Sequence, residues 1–217
     1  MNFLQLTNDF IIESGACDQV GSVVNQLDEQ AQAVIWVRDA WIEIQRNRLW
    51  RFRWAEDSFD TVADQGTYTL TNLVRSADDD FSMDKFIVDG DVLPLIHRTY
   101  DFIKAKVRSS PVETGKPRFV ALRPDDSIVV YPTPDAAYTI NYEYFSAPVE
   151  LLTDTDSPTL NPKFHKVIVW KALEQYAREQ GKEWAGLYQA AIRNYNSTYS
   201  MVLEQETGKA HLAPSPF

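Results

Sequence analysis

The sequence predicts an α+β fold: an antiparallel helical bundle, built from a long N-terminal helix and C-terminal helices, with an inserted antiparallel β domain. Three observations predict it. One long amphipathic segment runs from about residue 23 to 49 without Gly or Pro. Short β-rich runs punctuated by turn residues fill the chain between Phe52 and Phe145. Helical periodicity then returns near Asn161 and lasts to about Gly208.

Taken in order, Phe3, Leu6, Phe10 and Ile11 recur at helical spacing, which predicts a short first helix stopping at Ser14–Ala16. In the long segment the apolar positions are Val23, Leu27, Ala31, Val34, Trp41, Ile44 and Leu49. Leu27, Val34, Trp41 and Ile44 are the expected core face, packed on the C-terminal helices. The runs "TYTL", "KFIVDGDVLPL", "RFVALRPDDSIVVYPTPD" and "AAYTINYEYFS" follow. "VDGDV" at 88–92 reads as a two-strand hairpin turning on Asp89-Gly90, and "RPDDS" at 123–127 as a second tight reversal. "YTINYEY" alternates, so one of its faces is buried and the other wet. Residues 99–109 have an ambiguous period compatible with a helix inside the β region.

Beyond that, Asn161 is a candidate N-cap with Pro162 at the first helical position. Two helical segments meet around Gly181. Phe164, Val167, Ile168, Leu173, Tyr176 and Ala177 form the apolar face of one, and Leu187, Ala191, Tyr195, Thr198 and Val202 that of the other. "KAHLAPSPF" has two prolines and no period, so it reads as an extended tail. The organisation expected is a helical body of 1–50 and 160–208, a β-rich insert of 51–159, and a tail of 209–217.

Composition narrows the function. The 217 residues carry 21 Lys+Arg against 31 Asp+Glu, a net charge of −10. A chain that bound phosphates by releasing counterions would need the opposite sign. The start of the chain has no basic stretch followed by an apolar run, so neither a signal peptide nor a membrane span is expected. Cys17 is the only cysteine, which excludes an intrachain disulfide and fits folding in a reducing cytoplasm. His97, His165 and His211 each stand alone, without metal-ligand spacing. There is no phosphate loop, nucleophile elbow or metalloprotease motif. The carboxylates Asp78, Asp79, Asp80, Asp84, Asp89 and Asp91 lack the alternation and closing glutamate of a calcium loop. "LTDTDSPTL" at 152–160 reads as a turn leading into a helix. No catalytic, cofactor-binding or metal residue is therefore expected, and the chain is not read as an enzyme.

One stretch asks for a partner. In "RNRLWRFRW" (46–54), Arg46, Arg48, Arg51 and Arg53 interleave with Leu49, Trp50, Phe52 and Trp54. Such a pattern could serve a nucleic-acid groove or a membrane-surface helix. The favoured reading is structural: the rings pack where the long helix meets the β region. The guanidinium groups then pair with Glu56, Asp57 and Asp60 or with a neighbouring subunit, since acidic residues close by cancel the local field.

The layout as a whole resembles the phage head-to-tail adaptor proteins, the connector or head-completion family. The likeness rests on the long helix ending in "AWIEIQRNRLWRFRW", on "GTYTL" and a hairpin, and on residues 117–177 above all. There a Pro-Phe strand, "YPTPD", a Tyr-rich strand and an Asp/Ser/Pro lead precede a Phe-His helix. The resemblance implies a virion structural protein, made and assembled in the host cytoplasm. Its copies would form a ring, typically twelvefold, that joins portal to tail (nozzle or tail-tube) proteins and extends the DNA channel. The helical part would make the ring wall, and the β insert would project toward the tail or the outer surface. DNA would pass without specific binding, which an acidic lining favours. Arg46, Arg48, Trp50, Arg51, Arg53 and Trp54 would then form a joint and intersubunit seam. His211, Leu212, Pro214 and Phe217 would lie in a portal-docking tail. Two other classes fit the same residues: another tail or baseplate component, and a small-ligand or carbohydrate-binding module using the aromatic insert.

Overall fold

The computed structural model describes residues 1–70, 86–108 and 113–207. Its helices are α1 (Phe3–Ser14), α2 (Asp28–Arg46), α3 (Tyr100–Arg108), α4 (Lys166–Gln180) and α5 (Ala185–Thr207). Its strands are β1 (Trp54–Asp60), β2 (Thr67–Tyr68), β3 (Phe86–Val88), β4 (Ile96–His97), β5 (Phe119–Leu122), β6 (Ile128–Tyr131) and β7 (Thr139–Phe145). The fold is α+β. The chain divides into two units, one of residues 1–52 and 148–217, the other of 53–147. Residues 148–160, assigned to the insert from their pattern, belong by packing to the first unit, because Leu151 and Leu160 are buried in its core.

In the first unit, α1 ends where its sequence says it should. The Asn2 side chain and Gln5 form a capping box, and Gly15 closes the helix in the left-handed conformation at φ 63°. α2 starts later than its periodicity suggests. The Asp154 carboxylate takes the Val23 N–H at 2.6 Å and the Ser22 hydroxyl at 3.1 Å, and Asn25 has positive φ, so residues 23–27 are held out of the helix. Leu27 is consequently a correction: it lies in extended backbone just before α2 and is 77% exposed. The buried stripe of α2 is Ala33, Val37, Ala40, Trp41 and Ile44, while Val34 is half-buried at its edge and Leu49 is exposed. α4 packs against α1, α2 and α5 and buries Val167, Ile168, Val169, Ala172, Leu173 and Ala177. Lys171 of α4 reaches Glu43 of α2 at 2.9 Å and Glu174 at 3.0 Å. Burial opposes its charge, but the two carboxylates outweigh burial and hold the ammonium above its ordinary range.

In the second unit, β1, β7 and β3 form one antiparallel sheet in the order β1-β7-β3. The other sheet has the order β2-β6-β5-β4 and is mixed, because β4 runs parallel to β5, so the insert is not wholly antiparallel. Phe86, Val88, Ile140 and Tyr142 of the first sheet share a core with Val120, Ile128 and Val130 of the second. α3 covers the opposite face of the second sheet through Ile103, against Ala121, Val129 and Tyr131. Every residue of β6 is therefore buried, as expected of a strand covered on both faces.

The reversal at 123–127 joins β5 to β6, with Asp126 at φ 63° and the Asp125 carboxylate holding the Ser127 N–H. At 88–92 the turn forms, with Gly90 at φ 80° and the Asp91 N–H donating to the Val88 carbonyl, but no hairpin follows. β3 pairs with β7 and β4 with β5, since each finds a longer partner strand elsewhere. The run Asp78–Asp80 and Asp84 lie outside the described residues.

Candidate assembly surface

Two exposed surfaces, one on each unit, carry the features that ask for a partner. The first is the end of α2 and the residues after it. α2 stops at Asn47, whose N–H donates to the Glu43 carbonyl. The rings that follow then fix the backbone. Trp50 is 1% exposed and donates its indole N–H to the Ile44 carbonyl. Phe52 stacks on both Trp41 and Trp50 with ring centroids 5.7 Å apart, and Tyr199 meets Trp50 edge-on. Each such pair adds about 1 kcal/mol beyond simple burial. The Phe52 N–H also donates to the Glu206 carboxylate at 3.2 Å.

With Trp50 and Phe52 turned inward, Arg46, Arg48 and Arg51 face solvent alongside Leu49, which is 45% exposed. None of these three arginines has an ion-pair partner among the described residues. The result is a ledge of three exposed guanidinium groups on a packed aromatic base. Arg53 is different. It opens the second unit, is buried, and its guanidinium donates to the Ser146 carbonyl through Nε at 2.8 Å and again through a terminal nitrogen. Burial lowers the pKa of Arg53 from its ordinary value, and the guanidinium, a cation in proteins, donates to that carbonyl.

The second surface is the outer face of the β1-β7-β3 sheet. Alternation puts Trp54, Glu56 and Ser58 on one side of β1, and the register sets them against Phe145, Glu143 and Asn141. Trp54 is 43% exposed, and its indole N–H reaches Glu143 at 3.3 Å. Glu56 and Glu143 stand directly opposite one another, a like-charge pairing that costs stability in an isolated sheet. Neither has a cationic partner among the described residues. With the 88–91 turn along one border, this face forms a groove of about 570 Å³.

The residue pattern singled out Arg46, Arg48, Trp50, Arg51, Arg53 and Trp54. The structure buries Trp50 and Arg53, and exposes the other four. It adds Ser146, Glu206 and Glu143, which come from distant parts of the chain. The wet side of "YTINYEY" already hinted at Glu143, but nothing local to that run tells which strand lies beside it. His211, Leu212, Pro214 and Phe217 lie outside the described residues. His165 is buried, and its Nε2 donates to the Leu160 carbonyl at 2.8 Å. Asp154 and Asp156 spend their carboxylates on backbone N–H groups and hydroxyls, so "LTDTDSPTL" is a capped turn. Among the described residues no group of three or more His, Cys, Asp or Glu is placed to hold a metal ion. No helix there is long and apolar enough to cross a membrane. A family model described as SU10 adaptor protein matches residues 1–208. No curated protein matches the chain.

Proposed function

The chain belongs to the SU10 adaptor protein family, a family of phage head-tail adaptors, and from that membership we propose a structural subunit whose copies close into a ring between portal and tail. It is a phage adaptor and thus a component of the virion. In the finer reading, the ring docks on the portal protein, receives the tail proteins on its other side and extends the channel through which DNA leaves. The observation that carries this reading is the family match over nearly the whole chain. The charge balance supports it, since 31 acidic against 21 basic residues suit a conduit that lets DNA slide past.

The surfaces fit assembly better than ligand binding. Exposed guanidinium groups on a fixed aromatic base suit a planar, repeated contact between proteins, where arginine outperforms lysine by making paired hydrogen bonds to a carboxylate. The test is to mix the purified chain with portal-bearing heads that lack it, and to measure stoichiometry and tail attachment. Stable addition of a symmetric set of copies, followed by tail joining, is expected. Heads that take up no subunits would overturn the reading.

A further inference from the structure

Resting on that ring reading, we propose that the arginine ledge of one subunit (Arg46, Arg48 and Arg51, with Leu49) seats on the Glu56/Glu143 sheet face of the next copy. Each surface carries an imbalance that the other removes. Glu56 and Glu143 face each other across the β1–β7 ladder without a cation among the described residues. Two like charges directly opposite on a sheet are destabilising, and a guanidinium inserted between them turns repulsion into attraction. The ledge has the opposite fault, three exposed guanidinium groups with no carboxylate partner among the described residues, in a chain where acids outnumber bases.

Shape and chemistry agree with charge. Trp54 offers an exposed ring beside Glu143, and an arginine stacking on an indole face gains about 0.5–1 kcal/mol at an exposed site. Leu49 adds an apolar contact at the centre of the ledge. The two surfaces are different patches of one chain, so the contact is head-to-tail. A head-to-tail contact generates a ring when its rotation closes. A nucleic acid on the ledge would leave the glutamates uncompensated, and a lone cation on the glutamates would leave the ledge unused. A second copy satisfies both at once.

A charge swap tests the pairing. The variants are Glu56→Arg with Glu143→Arg, then Arg46→Glu with Arg48→Glu and Arg51→Glu, then all five together. Ring yield is read by mass, in solution and on portal-bearing heads, and folding by thermal melting. Each reversal alone should lower ring yield by about tenfold or more, as like charges juxtaposed across an interface do. The combination should recover most of it. A milder pair, Glu56→Gln with Glu143→Gln, guards against misfolding. It relieves the repulsion within the sheet, so the subunit should melt no lower than wild type while ring yield falls and its salt dependence flattens. Unchanged ring yield in the glutamate variants, or no recovery in the swap, would overturn the pairing while leaving the ring reading intact. A wild-type chain that never forms a ring, even on heads, would overturn both.

Discussion

Arg53 and Ser146 hold each other from both sides. The Arg53 Nε donates to the Ser146 carbonyl at 2.8 Å, the Ser146 N–H donates to the Arg53 carbonyl at 2.8 Å, and the Ser146 hydroxyl donates to that same carbonyl at 3.1 Å. These residues open and nearly close the second unit, and the β1–β7 ladder begins just inside them at Trp54 and Phe145. The pair therefore closes the open end of that ladder.

Replacing Arg53 should accordingly weaken folding. Arg53→Ala removes the guanidinium bonds and leaves a partly buried carbonyl with fewer donors, a loss of about 2 kcal/mol. Arg53→Lys should recover only part of it, because an ammonium lacks the planar fork. Urea denaturation checks both. A variant as stable as wild type would remove the clamp from the account.

Trp41 anchors the first unit. It is 1% exposed and stacks on Phe52, so Trp41→Ala should cost about 3–5 kcal/mol and loosen the base under the arginine ledge. Leu27→Ala should cost far less, since that side chain is 77% exposed. Equal losses in the two variants would contradict the assignment of the α2 face.

The contrast between Leu27 and Trp41 also marks what the sequence could reveal. α2 has apolar residues on more than one side, Ile35 among them at 43% exposed, so periodicity found the helix but placed part of its face wrongly. Its start was hidden because Asp154, far along the chain, holds Val23 and Ser22 in a loop. Local signals fared well where a few neighbouring residues decide the matter, as with Gly15 ending α1 and Asp126 turning β5 into β6. They failed at Asp89-Gly90, where the turn forms but the strands beside it choose more distant partners. The arginine ledge was legible as a feature. The inward turn of Arg53 was not, because the carbonyl that captures it lies 93 residues away.

Acid should destabilise the first unit through His165. Burial, the largest influence, lowers its pKa below the ordinary 6.5, although its bond to Leu160 works the other way. Well above pH 6.5 the histidine is neutral both folded and unfolded, and its contribution is complete. As pH falls below that value the unfolded chain binds the proton first, so stability declines until the folded histidine is also protonated. Urea midpoints should therefore drop as pH falls through 6.5 and below, and His165→Gln should flatten that part of the slope. A slope unchanged in the variant would assign the effect to other groups.

Deleting residues 209–217 should separate folding from docking. This segment carries Leu212, Pro214 and Phe217 and lies outside the described residues, and we propose that it docks on the portal. Truncated subunits should fold normally but attach to portal-bearing heads about tenfold less well or worse, which corresponds to losing roughly one buried apolar side chain. Undiminished attachment would remove the tail as a docking arm.

An electron microscopy reconstruction of the virion that contains this chain would locate it in the particle. A closed ring of this subunit is expected between portal and tail, with Arg46, Arg48 and Arg51 of each copy against Glu56 and Glu143 of the next. Finding the chain in a baseplate or fibre instead, or finding those arginines on DNA phosphates, would contradict it.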